Sequence, residues 1–214
     1  MFIRQTRLWA LGALMASATQ AHAAPMGFQG SVMAMGDFGE NWRELYLNYA
    51  LTPRDALGLS ATWMRSDDRA TTRQLDELTY TRLLTRWNLP HAQANLWFIG
   101  GVGRVRGEGT RGAMASPGVQ FDYETTRVYF AATARLYRAR GIKHDFGSVR
   151  AGFSFYEADY DQTQPWLIVE ARQMRNLSDK VEVTPMLRLI NKNYFIEAGV
   201  STMRQARFNF MYIF

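Results

Sequence analysis

Apolar and polar residues alternate along most of the chain, and short groups of turn residues separate the alternating segments. An apolar residue recurs at every second position in residues 45–51, 57–63, 149–155 and 194–200. Because neighbouring side chains of a strand point to opposite faces, this period of two predicts strands with one apolar face. A tilted strand of about ten residues is long enough to cross a bilayer. The pattern therefore predicts membrane-spanning β-strands rather than helices.

A first count of such segments gives an odd number of strands. The eleven segments are 27–36, 41–51, 56–65, 77–87, 93–104, 117–137, 145–156, 164–174, 181–190, 193–201 and 206–214. Single-chain bacterial barrels have an even number. The segment 117–137 is also twice as long as needed, and its apolar positions change from odd at Val119 to even from Val128. A turn at Thr125–Thr126 explains both features, and a long protruding strand or a β-bulge is the alternative explanation of the change of face. We therefore predict an all-β, antiparallel transmembrane β-barrel of twelve strands, with ten as the alternative.

The last strand carries four aromatic residues on one face. These are Phe208, Phe210, Tyr212 and Phe214. A soluble edge strand rarely exposes such a stripe, whereas a lipid-facing strand does so without cost. The segment resembles the C-terminal targeting signature of bacterial outer-membrane β-barrel proteins, in which a terminal Phe follows alternating aromatics. The resemblance implies a porin-like barrel that this strand closes, and assembly by the barrel-assembly machinery through the same strand.

The first residues have the pattern of an export signal. Arg4 and Arg7 precede the apolar run 8–18, and Ala21-His22-Ala23 supplies a site of the A-x-A type. The run is too short for a membrane helix. We predict that residues 1–23 are a signal peptide removed by cleavage, that export is of the Sec type, and that residues 24–214 form a single barrel domain in the outer membrane of a Gram-negative cell.

The twelve-strand count also assigns the connections. Residues 66–76 and 105–116 become extracellular loops, and the periplasmic turns are 52–55, 88–92, 125–126, 191–192 and the longer 157–163. Between residues 78 and 87 either face could be outward. An Arg facing lipid at the membrane midplane costs about 2–4 kcal/mol. We therefore predict Thr79, Thr81, Leu83 and Thr85 outward, with Tyr80, Arg82 and Arg86 inward.

Composition removes several classes of protein. The chain has no cysteine, which excludes disulfides, thiolate metal sites and cysteine catalysis. The net charge of +6 comes from arginines spread among acidic residues, whereas nucleic-acid binders cluster their positive charge. We expect no nucleic-acid partner. The predicted partners are outer-membrane lipid and lipopolysaccharide, and the sequence leaves the oligomeric state open.

The predicted inward face carries charges of both signs. It comprises Arg82, Arg86, Arg127, Arg135, Arg150, Arg172, Arg188, Glu44, Glu124, Glu170, Glu182 and Glu197. One interpretation is an arginine-lined pore that attracts anions, as rings of fixed charge do. This would be similar to twelve-stranded porins for acidic oligosaccharides. The other is that Arg and Glu pair across strands and fill the barrel.

The leading hypothesis is a narrow passive channel for small solutes, among which anionic ones are candidates. The alternatives are a closed structural or adhesion-type barrel, an accessory barrel of envelope copper resistance, and a lipid-modifying barrel enzyme. Met33 and Met35 could offer two thioethers to Cu(I), although methionine more often fills apolar space. His144 could serve a hydrolase together with Ser148, but we expect it to be solvated at the surface. We predict no catalytic residue, no bound metal and no cofactor.

Overall fold

The computed structural model describes residues 24–159 and 161–214. The predicted signal peptide and its cleavage site lie outside these residues. Thirteen strands are found in the part of the chain that is described. They are β1 (Val32–Phe38), β2 (Trp42–Ala50), β3 (Asp55–Arg65), β4 (Thr72–Leu89), β5 (Ala92–Gly107), β6 (Thr110–Ala115), β7 (Gly118–Glu124), β8 (Val128–Ala139), β9 (Ile142–Ser154), β10 (Gln164–Arg175), β11 (Glu182–Asn191), β12 (Tyr194–Val200) and β13 (Ala206–Ile213). Over the described ranges, no helix has the length and apolar character needed to traverse a bilayer.

The strands form one closed antiparallel sheet. Apart from β6 and β7, which both pair with β5 and β8, each strand pairs with its neighbours in the chain. The first strand pairs with the last, so that Met33 lies opposite Ile213 and Phe38 opposite Phe208. The backbone of Phe214 completes this seam, because its N–H donates to Val32 O (2.9 Å) and its carbonyl accepts from Val32 N (3.0 Å). Closure leaves the sheet without an unpaired edge. The prediction of an antiparallel β-barrel closed by the C-terminal strand is confirmed.

Strands β6 and β7 are two parts of one barrel strand. Both pair with β5 in the same register, since Val102 lies opposite Ala115 and Ile99 opposite Gly118. Only Ser116 and Pro117 interrupt the ladder, and proline has no N–H to donate to it. With these two parts counted once, the barrel has the predicted twelve strands and one additional break.

The turn predicted within residues 117–137 is present. β7 ends at Glu124 and β8 begins at Val128. Thr125 N donates to Val128 O (2.8 Å), and the Thr125 hydroxyl accepts from the backbone N–H of Arg127 (3.1 Å) and Val128 (2.8 Å). A threonine hydroxyl that bonds to the backbone in this way stabilises a turn without glycine.

The connections divide between two ends of the barrel. The Phe214 end, where the chain terminates, also has the turns 51–54, 90–91, 125–127 and 192–193 and the longer connection between β9 and β10. The opposite end, called the distal end below, carries shorter connections than we predicted. Residues 105–116 are not a loop, because β5 and β6 continue through them to a turn at Glu108–Gly109. Residues 72–76, at the end of the predicted loop 66–76, likewise belong to β4.

The prediction of which side chains face outward is wrong for part of β4. Thr79, Thr81 and Leu83 are buried inside the barrel, whereas Tyr80 and Arg82 face outward. Arg82 lies at the rim of the Phe214 end, where its guanidinium contacts Asp55 (2.9 Å), so that no charge enters the midplane. A β-bulge between Leu83 and Thr85 then reverses the facing of the strand.

Large apolar side chains cover the outer wall at alternate positions. Among the most exposed are Leu59, Leu78, Val102, Phe155, Val200 and Phe214. An apolar outer surface with inward polar residues is the reverse of a soluble protein and is typical of a membrane barrel. The aromatic residues of β13 lie on this outer face, since Phe208, Tyr212 and Phe214 are all exposed.

Candidate functional site

The barrel interior contains two networks of charged side chains. The first network joins three strands through Arg135 of β8. Its Nη2 contacts the buried carboxylate of Glu77 on β4 (3.1 Å), and its Nη1 lies 3.9 Å from Glu44 on β2. The Ser116 hydroxyl donates to Glu77 and also accepts from Arg135 Nη2 (2.8 Å). Arg135 therefore holds two acids of distant strands together.

The second network covers the wall from β9 round to β1. It consists of Arg150, Arg172, Arg188, Arg207, Asp37, Glu170, Glu182 and Glu197. Arg207, whose side chain is fully buried, contacts Asp37 (3.0 Å), Glu170 (3.2 Å) and Glu182 (3.5 Å). Glu197 accepts from Arg188 Nε (2.6 Å), from Arg150 and from Asn209 Nδ2 (2.7 Å).

Aromatic rings fix part of the second network. The Arg188 guanidinium carbon lies 4.7 Å from the ring centroid of Tyr129 and 4.8 Å from that of Phe195. Cation–π contacts on a desolvated guanidinium contribute about 2 kcal/mol. Because Arg188 also pairs with Glu197, its position is set from three directions.

The two networks together contain nearly equal numbers of opposite charges. Five arginines face six carboxylates. Pairing across strands is the arrangement that the sequence offered as the alternative to a positively charged pore. The described interior therefore supplies no large excess of fixed positive charge.

Most residues predicted for the inward face belong to these networks. They are Arg135, Arg150, Arg172, Arg188, Glu44, Glu170, Glu182 and Glu197. Arg86 also turns inward, at the mouth of the Phe214 end, because the bulge reverses β4, and its Nε donates to Asn95 Oδ1 (2.7 Å). Whether any of these residues lines a conducting pore stays a prediction.

Two predicted inward residues are elsewhere. Arg82 faces outward, as described above. Arg127 lies in the turn before β8, exposed, and its guanidinium donates to the backbone carbonyl of Phe155 (3.1 Å). The alternation that assigns faces does not extend past the last paired residue of a strand. Arg127 therefore stabilises a turn and does not line the interior.

Sequence reasoning missed three members of the networks. Arg207 is inward because the aromatic residues of β13 are outward, and this parity was readable from the sequence. Asp37 lies just beyond the predicted end of the first strand at residue 36. Glu77 was missed because the sequence analysis assigned its face of β4 to the outside of the barrel.

A cavity of about 210 Å³ lies between the two networks. Its charged lining comes from Asp37, Glu44, Arg135, Arg150 and Glu170. Hydroxyl and amide side chains add hydrogen-bonding groups, among them those of Tyr46, Thr79, Thr81, Gln120, Thr133, Ser148 and Asn209. A space of this lining accommodates water and small polar molecules.

An apolar cluster crosses the barrel at the distal side of this cavity. Its buried members are Trp42, Met64, Leu75, Val105, Met114, Tyr137, Ile142 and Met174. The ring of Trp42 on β2 stacks on that of Phe146 on β9, with 5.1 Å between centroids. Five barrel strands separate β2 from β9 on either side when β6 and β7 are counted once. The stacked pair therefore spans the full diameter.

Short connections meet above this cluster. Ser178 donates to Asp67 Oδ2 (2.8 Å), and Asn41 donates to Asp67 Oδ1 (3.2 Å). Asp67 follows β3, whereas Ser178 follows β10 on the other side of the mouth. The distal mouth is thus bridged by side chains from three connections.

The residues before β1 enter the Phe214 end. Met26 is buried against Ala50, Ala56, Leu83 and Trp97. The Pro25 carbonyl accepts from Asn48 Nδ2 (2.8 Å) and borders the cavity. This segment narrows the interior opposite the distal cluster.

The histidine and the two methionines that the sequence offered for catalysis and copper binding are all buried or packed in apolar surroundings. His144 is buried beneath the distal end, with 6% of its surface exposed, so the expectation of a solvated surface histidine is wrong. Met33 is fully buried among Phe195, Met211 and Ile213, and Met35 packs against the same cluster. This packing is that of apolar filler. Across residues 24–159 and 161–214, no group of three or more His, Cys, Asp or Glu side chains could hold a metal ion.

The distal connections contain two carboxylates of lowered pKa. Hydrogen bonds from the Thr72 hydroxyl (2.6 Å) and backbone N–H (2.8 Å) lower the pKa of Glu108 to about 2. The Ser66 hydroxyl and the Ala70 N–H likewise lower the pKa of Asp68. Both groups stay ionised at neutral pH and tie the connections to their neighbours.

The fold is that of bacterial outer-membrane porins. Among similar solved structures is the KdgM porin in complex with disordered oligogalacturonate, with 15% sequence identity and a TM-score of 0.50. The match covers 85% of this chain and 98% of that one. No protein-family model matches the sequence, and a search of curated proteins gives no match either.

Two further outer-membrane proteins match less closely. OccK8 (OprE) of Pseudomonas aeruginosa has 9% identity and a TM-score of 0.41, over 85% of this chain and 62% of its own. OmpT of Vibrio cholerae has 8% identity and a TM-score of 0.39, over 86% of this chain and 98% of its own. At these values the matches carry no argument about function.

Proposed function

We propose that this chain is an outer-membrane channel of narrow bore for small polar solutes. The observation that carries the proposal is the cavity of about 210 Å³ inside the barrel, lined by both networks and by hydroxyl groups. A barrel that served only as a scaffold would not need a cavity bordered by charged and hydroxyl side chains at its centre. The porin fold of the chain supports the same function.

The lining of the cavity carries charges of both signs, which favours solutes whose passage does not depend on their charge. Arg135 and Arg150 border the cavity, but Asp37, Glu44 and Glu170 border it as well. Selectivity follows the fixed charges that line a pore. We therefore propose little discrimination between anions and cations. The similarity to the KdgM porin, whose structure holds oligogalacturonate, makes acidic oligosaccharides useful test solutes.

A closed structural barrel is the second candidate. It is favoured by the Trp42–Phe146 stack across the diameter and by the Asp67 bridges above it. In a channel, these contacts are the closed state of an apolar gate, which blocks passage by excluding water. In a structural barrel they are permanent.

Planar-bilayer recording of the refolded barrel decides between the two candidates. We expect small conductance steps of low open probability, with a permeability for chloride close to that for potassium. Folding is checked first by the shift in electrophoretic mobility between heated and unheated samples. Correctly folded protein without steps, both before and after Trp42→Ala, would overturn the channel and leave the structural barrel.

The surroundings of the channel are part of the same proposal. The apolar outer wall suits outer-membrane lipid, with the Phe214 end on the periplasmic side and the distal end outside. Export by a cleaved signal and assembly through the strand ending in Phe214 remain predictions. The expectation of no enzymatic activity and no cofactor also stays a prediction. It is tested by assaying phospholipid and lipid A turnover with the wild type and His144→Ala.

A further inference from the structure

Three arginines lie close together on the outer wall at the distal end. Arg106 on β5 is directly opposite Arg111 on β6, and Arg104 is on the same face two residues away. Like charges placed opposite one another destabilise a strand pair. Asp76 of β4 neutralises one of them, with its Oδ2 2.5 Å from Arg106 Nη2. In the part of the chain that the structure describes, Arg104 and Arg111 have no carboxylate partner.

The arginines surround a depression in the outer surface. A groove of about 510 Å³ is lined by Asp76, Gly103, Arg104, Arg106, Arg111, Gly112 and Ala113. Arginine presents a fork of donors that matches the oxygens of a phosphate. A phosphate in this groove would neutralise the two unpaired guanidinium groups and relieve the repulsion between Arg106 and Arg111.

The groove continues along the barrel wall as an apolar trough. The trough has a volume of about 730 Å³ and shares Asp76, Gly103 and Arg104 with the groove. Its outward apolar lining is Ala34, Leu45, Leu47, Leu59, Ala61, Leu78, Val102 and Phe210. Ala61 keeps the trough open because its side chain is small between longer neighbours. The outer surface thus joins a groove lined by arginines to a trough lined by apolar side chains.

We propose that this face binds a phosphorylated lipid of the outer leaflet, lipid A, with a phosphate between Arg104, Arg106 and Arg111 and an acyl chain in the trough. The inference rests on the proposed placement in the outer membrane, because the distal end faces the outer leaflet only in that orientation. It does not depend on conduction through the interior.

The test measures lipid binding by the folded full-length barrel, by native mass spectrometry from detergent micelles titrated with lipid. The probes are bisphosphorylated lipid A, enzymatically dephosphorylated lipid A and phosphatidylglycerol. The site variant is Arg104→Gln/Arg106→Gln/Arg111→Gln. The control Arg140→Gln/Arg175→Gln/Arg204→Gln removes the same charge from exposed positions at the same end.

We expect the site variant to weaken binding of bisphosphorylated lipid A by at least about tenfold, and the control to change it less than about twofold. Ala61→Trp, which fills the trough without altering charge, should weaken binding as well. Equal losses in both triple variants, equal binding of the dephosphorylated lipid, or equal binding of phosphatidylglycerol would overturn the proposal. Binding that persists in a barrel without conductance would retain the lipid site and reject only the channel.

Discussion

Trp42 and Phe146 stack with 5.1 Å between ring centroids, although their strands lie on opposite sides of the barrel. The two inward rings meet because the wall curves round to bring them together. They therefore act as a single apolar barrier between the cavity and the distal mouth. The ring of Tyr137 lies edge-on to that of Trp42, with 6.4 Å between centroids, and this contact extends the barrier toward β8.

Removing the Trp42 ring should open this barrier. We expect Trp42→Ala to increase the single-channel conductance by at least about twofold, because a wider apolar constriction retains water more readily. Phe146→Ala should act in the same direction. The control is Trp63→Ala, which removes an outward indole near the same end. An unchanged conductance in both interior variants would contradict the barrier.

Loss of Arg135 should destabilise the barrel. The substitution Arg135→Gln leaves the buried Glu77 carboxylate without its cation, which costs about 3–5 kcal/mol in the free energy of unfolding. Denaturant titration in lipid vesicles measures this change. Arg82→Gln removes an exposed ion pair with Asp55 and should cost less than about 1 kcal/mol. Equal losses in the two variants would contradict the assignment of Arg135 to a buried network.

The Glu108–Thr72 contact should be visible as a pH effect. The pKa of Glu108 in the folded protein is about 2, below the ordinary 4.5. The contact, which joins the β5–β6 turn to the start of β4, therefore stabilises the folded protein above pH 4.5. That stabilisation is lost as the pH falls from 4.5 toward 2. The ¹³C shift of the Glu108 carboxyl follows this titration directly.

Thr72→Val should raise the pKa of Glu108, because the substitution removes the hydroxyl donor. Thr71→Val, one residue earlier, is the matched control and should leave the titration unchanged. If Thr72→Val also left it unchanged, the hydroxyl would not be the cause of the low pKa.

The Phe214 side chain should matter for assembly more than for stability. Its backbone closes the seam with Val32, while the residue is 58% exposed and its ring lies against that of Tyr212, with 4.9 Å between centroids. We expect Phe214→Ala to refold in vitro with a free energy of unfolding within about 1 kcal/mol of the wild type. In cells, less folded protein should reach the outer membrane. Phe153→Ala, another exposed ring of the outer face, should assemble normally.

The strand pattern was readable because lipid enforces it. Outward residues in the lipid-facing band of a membrane strand are apolar, so parity identified the inversion at Thr125 and the number of strands. Parity fails where an extra residue enters a strand, as between Leu83 and Thr85, or where a charge lies at the rim, as Arg82 does. The residues of the interior could be predicted from parity. Their contacts could not, because Arg135 and Trp42 meet partners on strands far away in the chain.

In the proposed orientation, with the distal end outside, the turns at this end have a consequence for recognition of the barrel from outside the cell. Glu108–Gly109 and Arg140–Gly141 are two-residue connections in which each glycine adopts a positive φ. An antibody covers roughly 800 Å² on its antigen, far more than one such turn offers. A binder must therefore engage several connections at once, two of which, those that follow β3 and β10, are joined by the hydrogen bond from Ser178 to Asp67. The epitope is conformational, so that linear peptides from this chain would make poor immunogens.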